Sequence, residues 1–411
     1  VLIMKKVCYV VLALLIPVLV ATSCVYSLDK YLDYKNNKMM EVKDLYPMLH
    51  DTVSLVKDKG VYANNYLAHK GAIMIMGSSE LSHSTMQHPD YYFNTGRTKD
   101  MAVTIGRAYT QSLQHATIVG SLDNDIKNKK VVLLLSMQWF MEKEGVTADH
   151  FLTRFSPVQF YNFMSNPRIS QKTKKDYAKR ISNLMKEPGE FKPEAIYANL
   201  YLHDDLGHKT LRMLFSPYYK ARRVMVSMKD KGITFKALRK LYNKVDQSHD
   251  IAGQIDWSKE KEYAEIEAKN RVGKKIYKLG GRDVYVDKGY YKEYMKGKDE
   301  GFRGFYSYVK LTDSKEYTDL NIFLEACRDM GVKPTIVIIP GMPEFYDFAG
   351  IGPADRRAFA NKIKKISGQY DTRLIDLMGN ENKRYYLRDI MHLGTLGWAD
   401  LSEKIYNIYE R

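Results

Sequence analysis

Five strand-length segments, at residues 72–76, 101–105, 131–135, 334–339 and 372–377, set the frame of this chain. Three of them, 72–76, 131–135 and 334–339, are almost continuously apolar, which predicts strands buried on both faces. Stretches with helical period fall between them, at 111–123, 317–330 and 354–367, and an amphipathic helix at 398–409 closes the chain. Strand, helix and strand at short spacing predicts an α/β fold, with a parallel sheet covered on both sides.

The alternation lapses over 146–313. That region is rich in Lys and Tyr, helical in period, and broken at Pro157, Pro167, Pro188, Pro193 and Pro217. It reads as a helical insertion into the α/β body. Within it, 257–270 predicts an exposed helix of alternating charge. Tyr290, Tyr291, Lys292, Tyr294 and Lys296 form a basic aromatic cluster, read as a solvated face with an anionic polymer or lipid as the functional alternative. Residues 29–70 read as a polar helical stalk leading into the first strand.

At the amino terminus, Lys5 and Lys6 precede a mostly apolar run over 7–28, interrupted only by Pro17, Thr22, Ser23 and Ser27. About 20 such residues cross a bilayer as a helix. Positive charge before the run and none inside it predicts a cytoplasmic N-terminus and an exported remainder. The division expected is a membrane anchor over 1–30 and an extracellular domain over 31–411. A cleaved signal peptide is the alternative, with Ala21-Thr22-Ser23 as the cleavage site and Cys24 hinting at lipoprotein processing.

Charge and cysteine narrow the partners. Lys and Arg outnumber Asp and Glu by 64 to 48, a formal net charge of +16 that favours a polyanionic partner. A position outside the membrane makes nucleic acid improbable and leaves the membrane surface or an anionic wall polymer. Of three cysteines, Cys8 and Cys24 lie in the anchor, so Cys327 has no partner for a disulfide or a cysteine metal site in the exported part.

The candidate chemistry begins at Gly77-Ser78-Ser79-Glu80-Leu81, directly after the first strand. A tight glycine turn with a serine at a strand's carboxyl end is how open α/β sheets present a nucleophile. A helix after it would aim N–H groups and its positive end at a developing oxyanion. Near the carboxyl terminus, Asp389-Ile390-Met391-His392 lets one loop supply a general base and the carboxylate that orients it. Either element alone is commonly a plain loop; together, at the first and last sheet elements, they point to a Ser-His-Asp arrangement. Other constellations read as structural. His203-Asp204-Asp205 with His208 predicts an exposed turn despite its metal-like composition, and His83 lies behind the serine hydroxyls. Met74 and Met76 are expected in the core, and Cys327 as a small buried apolar residue.

The combination of the N-terminal anchor with Gly77-Ser-Ser-Glu-Leu81, Gly106-Arg-Ala-Tyr-Thr-Gln-Ser-Leu113, Ser136-Met-Gln-Trp-Phe140 and Arg388-Asp-Ile-Met-His-Leu-Gly394 resembles the DltD family. These are membrane-anchored D-alanyl transfer proteins of lipoteichoic acid modification. The resemblance implies an SGNH-hydrolase-like, flavodoxin-type parallel sheet with a central helical insertion, preceded by one transmembrane helix. It makes Ser79 the nucleophile, with Ser78 the alternative, His392 the base and Asp389 its orienting carboxylate. Gly106 N–H and the Gln138 side chain would be oxyanion donors, Gln138 standing where SGNH enzymes carry asparagine. The activity implied is a serine acyltransferase that passes D-alanine to polyglycerolphosphate through an acyl-Ser79 intermediate, without metal or cofactor. An esterase or thioesterase, or a non-catalytic scaffold, is the alternative. Implied partners are lipoteichoic acid, the membrane, DltB and, less directly, the carrier protein DltC.

Overall fold

A five-stranded parallel sheet runs through the middle of the computed structural model, which describes residues 2–51, 53–82, 85–244 and 255–410. Its strands are β1 (Ile73–Met76), β2 (Ala102–Ile105), β3 (Lys130–Ser136), β6 (Thr335–Ile339) and β7 (Arg373–Asp376). A separate antiparallel hairpin pairs β4 (Tyr277–Leu279) with β5 (Arg282–Val284). The strand order β2-β1-β3-β6-β7 is the flavodoxin order, with every neighbour parallel. Ile73 lies opposite both Ala102 and Lys130, which aligns the carboxyl ends of the first three strands on one rim. The topology reverses between β1 and β3, and at such a switch point an open α/β sheet leaves a crevice for chemistry.

The apolar runs form strands because helices cover them on both faces. Every residue of β1, β2 and β6 is buried, and each fully enclosed Ile, Val or Leu contributes about 1.5–3 kcal/mol. β7 differs: Arg373, Leu374 and Asp376 are exposed, as the mixed sequence of an edge strand requires.

The principal helices in chain order are α1 (Leu2–Val42), α2 (Ser112–Gly120), α3 (Leu206–Leu238), α4 (Trp257–Val272), α5 (Glu316–Asp329), α6 (Pro353–Ser367) and α7 (Thr395–Tyr409). Helix α2 is buried along its whole length, and the Ser112 N–H donates to Glu316 Oε1 on α5 at 3.0 Å. On α5, Asp319 accepts a forked pair of bonds from Arg180, whose Nε lies 2.8 Å from Oδ1. Between β3 and β6 the chain passes through helices that include α3 and α4, and through the β4–β5 hairpin.

Two expectations change. Residues 29–70 are no polar stalk: Leu32, Met40, Leu45, Met48, Leu49, Val56 and Leu67 are buried against the domain. Helix α1 runs unbroken to Val42, and Lys231 of α3 holds Asp29 and Asp33 at 2.6 and 2.7 Å. Helix α4 is not simply exposed either. Trp257, Ala264, Ala268 and Val272 form a buried face, and the Thr395 hydroxyl donates to Ala264 O at 2.6 Å. Alternating charges concealed a spacing of small and apolar residues that packs on α7. Further out, Leu15–Val42 is long and apolar enough to cross a membrane, a test that a signal sequence also passes. Leu15, Ile16, Val18, Leu19 and Val20 of that stretch are exposed.

Gly106 ends β2 with φ +123°, and a Cβ there would lie 2.0 Å from Gly77 O. Only glycine lets the β1 and β2 turns approach this closely. Gly106→Ala is expected to cost about 3 kcal/mol, the upper end for a strained φ, read as an earlier denaturant midpoint. An unchanged midpoint contradicts this packing.

Candidate active site

The turn after β1 is fixed from several sides. Gly77 N–H donates to Ile105 O at 3.2 Å, and His115 Nε2–H donates to Gly77 O at 3.0 Å. Burial drives His115 down to about 3, so this imidazole is a neutral structural donor. Glu80, fully buried, reaches back to accept the Ser78 N–H at 2.7 Å and the Trp139 indole N–H at 3.1 Å. Burial raises its pKa, opposed by the charge of His392 and by the N–H donors. The expected helix after the serines is a single 3₁₀ turn, Ser79–Ser82, too short for an aligned helix dipole to act on the site. His83 lies outside the described residues.

The second half of the site is a pinned loop. Leu387 bridges Leu393, Arg388 N–H donates to His392 O at 3.0 Å, and Gly394 N–H donates to Tyr386 O at 2.8 Å. Outside the loop, Met342 N–H donates to Ile390 O at 2.9 Å, and Asp287 N–H donates to Arg388 O at 2.7 Å. Within it, Asp389 Oδ1 accepts the N–H groups of Met391 and His392 at 2.9 and 2.8 Å. Its other oxygen, Oδ2, lies 2.8 Å from His392 Nδ1. A carboxylate only accepts, so Nδ1 carries the proton and neutral Nε2 is left as an acceptor. Nε2 lies 3.0 Å from Ser79 Oγ.

Burial works against a charged His392, but the Asp389 bond and charge, with the charge of Glu80, prevail and raise its pKa. Asp389 is correspondingly lowered: burial pushes it up, and the His392 contact and the two N–H donors outweigh that.

The structure separates the two serines. Ser79 is half-buried and faces His392. Ser78 is buried, accepts the Tyr109 N–H at 2.9 Å and turns its hydroxyl toward Arg107 O at 3.4 Å, locking the β1 and β2 turns together. Gly106 departs from expectation: its N–H points at Asp58 Oδ1, 3.0 Å away, and not into the crevice. Asp58 is buried, faces Arg107 at 3.4 Å and is raised by that burial. Gln138 sits in the 3₁₀ turn Met137–Phe140 at the carboxyl end of β3, next to β1 in the sheet, and lies near the buried Tyr346 phenol. Sequence reasoning missed Glu80 and Asp58 as site-builders; Glu80 adjoins the serines, but nothing local betrays that its side chain turns inward. His203 and His208 flank a capped turn, as expected: Asp205 accepts the His208 N–H at 3.0 Å and Asp204 pairs with Lys175 at 2.8 Å.

The sequence model of the family described as "DltD protein" matches residues 50–410. The chain belongs to the DltD family. It is 28% identical over 338 residues to Protein DltD of Bacillus subtilis (strain 168), covering 82% of each chain. It is 25% identical over 357 residues to Protein DltD of Staphylococcus aureus (strain NCTC 8325 / PS 47), covering 86% of this chain and 83% of that one. The Lacticaseibacillus rhamnosus protein of the same name is 23% identical over 354 residues, 84% of this chain and 79% of its own. Membership of the DltD family gives the chain a part in D-alanylation of teichoic acid.

Neutral His392 is the form that can take the Ser79 proton. Its raised pKa predicts that Ser79 labelling by a fluorophosphonate climbs with pH through a midpoint above ~6.5. Asp389→Asn lowers that midpoint and slows labelling about 10³-fold or more, while Glu80→Gln lowers the midpoint alone. A wild-type midpoint at or below the ordinary histidine value contradicts the electrostatics. The stability linkage has opposite signs for the two groups. His392 favours the fold below its unfolded pKa and loses that contribution as pH rises through its folded value. Asp389 favours the fold above its unfolded pKa and loses that contribution as pH falls through its folded value.

Proposed function

We propose that the chain is a serine acyltransferase working outside the membrane, moving D-alanyl groups to glycerol hydroxyls of lipoteichoic acid through a D-alanyl-Ser79 ester. The observation that carries this reading is the contact of His392 with Ser79 at 3.0 Å and with Asp389 at 2.8 Å. In the first half-reaction Ser79 Oγ attacks the acyl carbonyl as its proton passes to His392 Nε2. The Asp389 carboxylate stabilises the imidazolium without taking its proton. The tetrahedral oxyanion lies against Ser79 N–H and the Gln138 side chain; Gly106 N–H is engaged elsewhere. Collapse expels the donor's leaving group, which recovers the proton from His392. In the second half, an acceptor hydroxyl gives its proton to His392 and attacks the ester, and Ser79 leaves with that proton restored.

The placement that accompanies this chemistry is a cytoplasmic N-terminus, one span over residues 1–30 and a catalytic domain over 31–411, with residues 146–313 as its helical insertion. Helix α3 supports a position against the membrane or a membrane partner, because Leu211, Leu214, Tyr218 and Met225 leave apolar side chains exposed along one side. DltB and DltC belong to this reading as the pathway proteins that bring the acyl group.

Cells carrying Ser79→Ala or His392→Ala should lose nearly all D-alanine from lipoteichoic acid, whereas Ser78→Ala should retain part of it. Gln138→Ala should slow transfer by about 10²–10³-fold, as loss of one oxyanion donor does. Full D-alanine content in the Ser79 and His392 variants would show a scaffold. Release of free D-alanine from loaded polymer, with none reaching unmodified chains, would show a hydrolase.

A further inference from the structure

A cleft of about 490 Å³ opens beside the β4–β5 hairpin, away from Ser79's own contacts, and its rim is strongly basic. Lys274, Lys275, Lys288, Lys292 and Lys296 line it, with no carboxylate among the lining residues. All five are exposed, and none forms an ion pair with another described residue. Nearby cations behave otherwise: Arg271 pairs with Glu267 at 2.6 Å and Lys278 with Asp283 at 3.7 Å. Five like charges around one concavity repel one another and raise the local potential, a cost that a bound polyanion relieves.

Two stacked rings form part of the cleft wall. Tyr277, on β4, stacks on Tyr291 with ring centroids 3.5 Å apart and planes 11° apart. Tyr277 is buried while Tyr291 stays half-exposed, so the cleft has an apolar ring surface among its ammonium groups. Phosphodiesters suit the lysines, and the carbon skeleton between phosphates suits the ring. The cleft is also bound to the catalytic loop. Lys288 follows Asp287, whose N–H donates to Arg388 O and whose carboxylate accepts from Arg388 Nη2, both at 2.7 Å. Arg388 immediately precedes Asp389 and donates its N–H to His392 O.

We propose that this lysine cleft is a binding site for successive phosphates of a phosphodiester polymer, holding the acceptor chain while one of its hydroxyls reaches Ser79. A concave site with rings inside fits a single strand, whereas a flat anionic membrane is met by an open basic face. The inference rests on the acceptor being a teichoic acid chain, yet binding is measured without acyl transfer, so a failure of the Ser79 chemistry leaves it standing.

The test uses the full-length protein in neutral detergent with three probes: poly(glycerol phosphate), uncharged polyglycerol of equal length, and short-chain phosphatidylglycerol. Wild type and Ser79→Ala should bind the phosphate polymer equally, with affinity that falls as salt rises, and neither should bind polyglycerol. The triple variant Lys275→Gln, Lys288→Gln, Lys292→Gln should bind the polymer about tenfold more weakly or worse once three charges are gone, with an unchanged melting midpoint as the folding control. Wild-type affinity for the polymer in the triple variant would overturn the site. So would equal wild-type affinity for polymer and soluble lipid, both lost together in the variant, because that marks a single-headgroup site. If the triple variant unfolds early, single Lys→Gln changes are compared, and wild-type polymer binding in all three overturns the proposal.

Discussion

A hydrogen bond of 3.0 Å joins Ser79 to His392 across 313 residues of sequence, and much of the molecule serves to keep those atoms at that separation. One end is set by the parallel pairing of β1 with β2 and β3, which places the Gly77 turn at the switch point. The other is set by a loop closed on itself by Leu387 and Leu393 and held from outside through Met342 and Asp287. Asp389 is the riskiest component. A buried carboxylate without partners would cost several kcal/mol, and three N–H donors from its own loop offset that cost. The same donors orient Oδ2 toward Nδ1, so satisfying the charge and fixing the tautomer are one geometric act.

Glu80 shows the same economy. It bonds the Ser78 backbone and the Trp139 indole, binding the serine turn to the end of β3, and its charge adds to the field that keeps His392 basic. Ser78, the residue before Ser79, ties the β1 turn to Tyr109 and Arg107. Two adjacent hydroxyls thus take different partners, Ser78 the β2 turn and Ser79 the His392 imidazole.

Much of this was legible in the chain itself. The inner strands β1, β3 and β6 announce themselves because burial on both faces demands nearly continuous Ile, Val, Leu and Met, and the serine and Asp-x-x-His elements sit where strand ends must converge. What local pattern could not give were the long-range partners. The family resemblance implied an oxyanion donor at Gly106, yet Asp58, 48 residues earlier, takes its N–H. The 29–70 segment looked like a stalk because its apolar residues are spaced among charges, and only packing reveals that Leu45, Leu49 and Leu67 face one core. The β4–β5 hairpin went unseen because its strands are short and half of their residues are exposed.

The central claim is that Ser79 carries the acyl group. Mass spectrometry of the full-length protein, acid-quenched during turnover with an isotopically labelled D-alanyl donor, tests it most directly. The account predicts one added D-alanyl group, released by mild base, on the peptide containing Ser79 and localised to that residue. An adduct on Ser78, or efficient transfer to polymer with no adduct and full activity in Ser79→Ala, would contradict it.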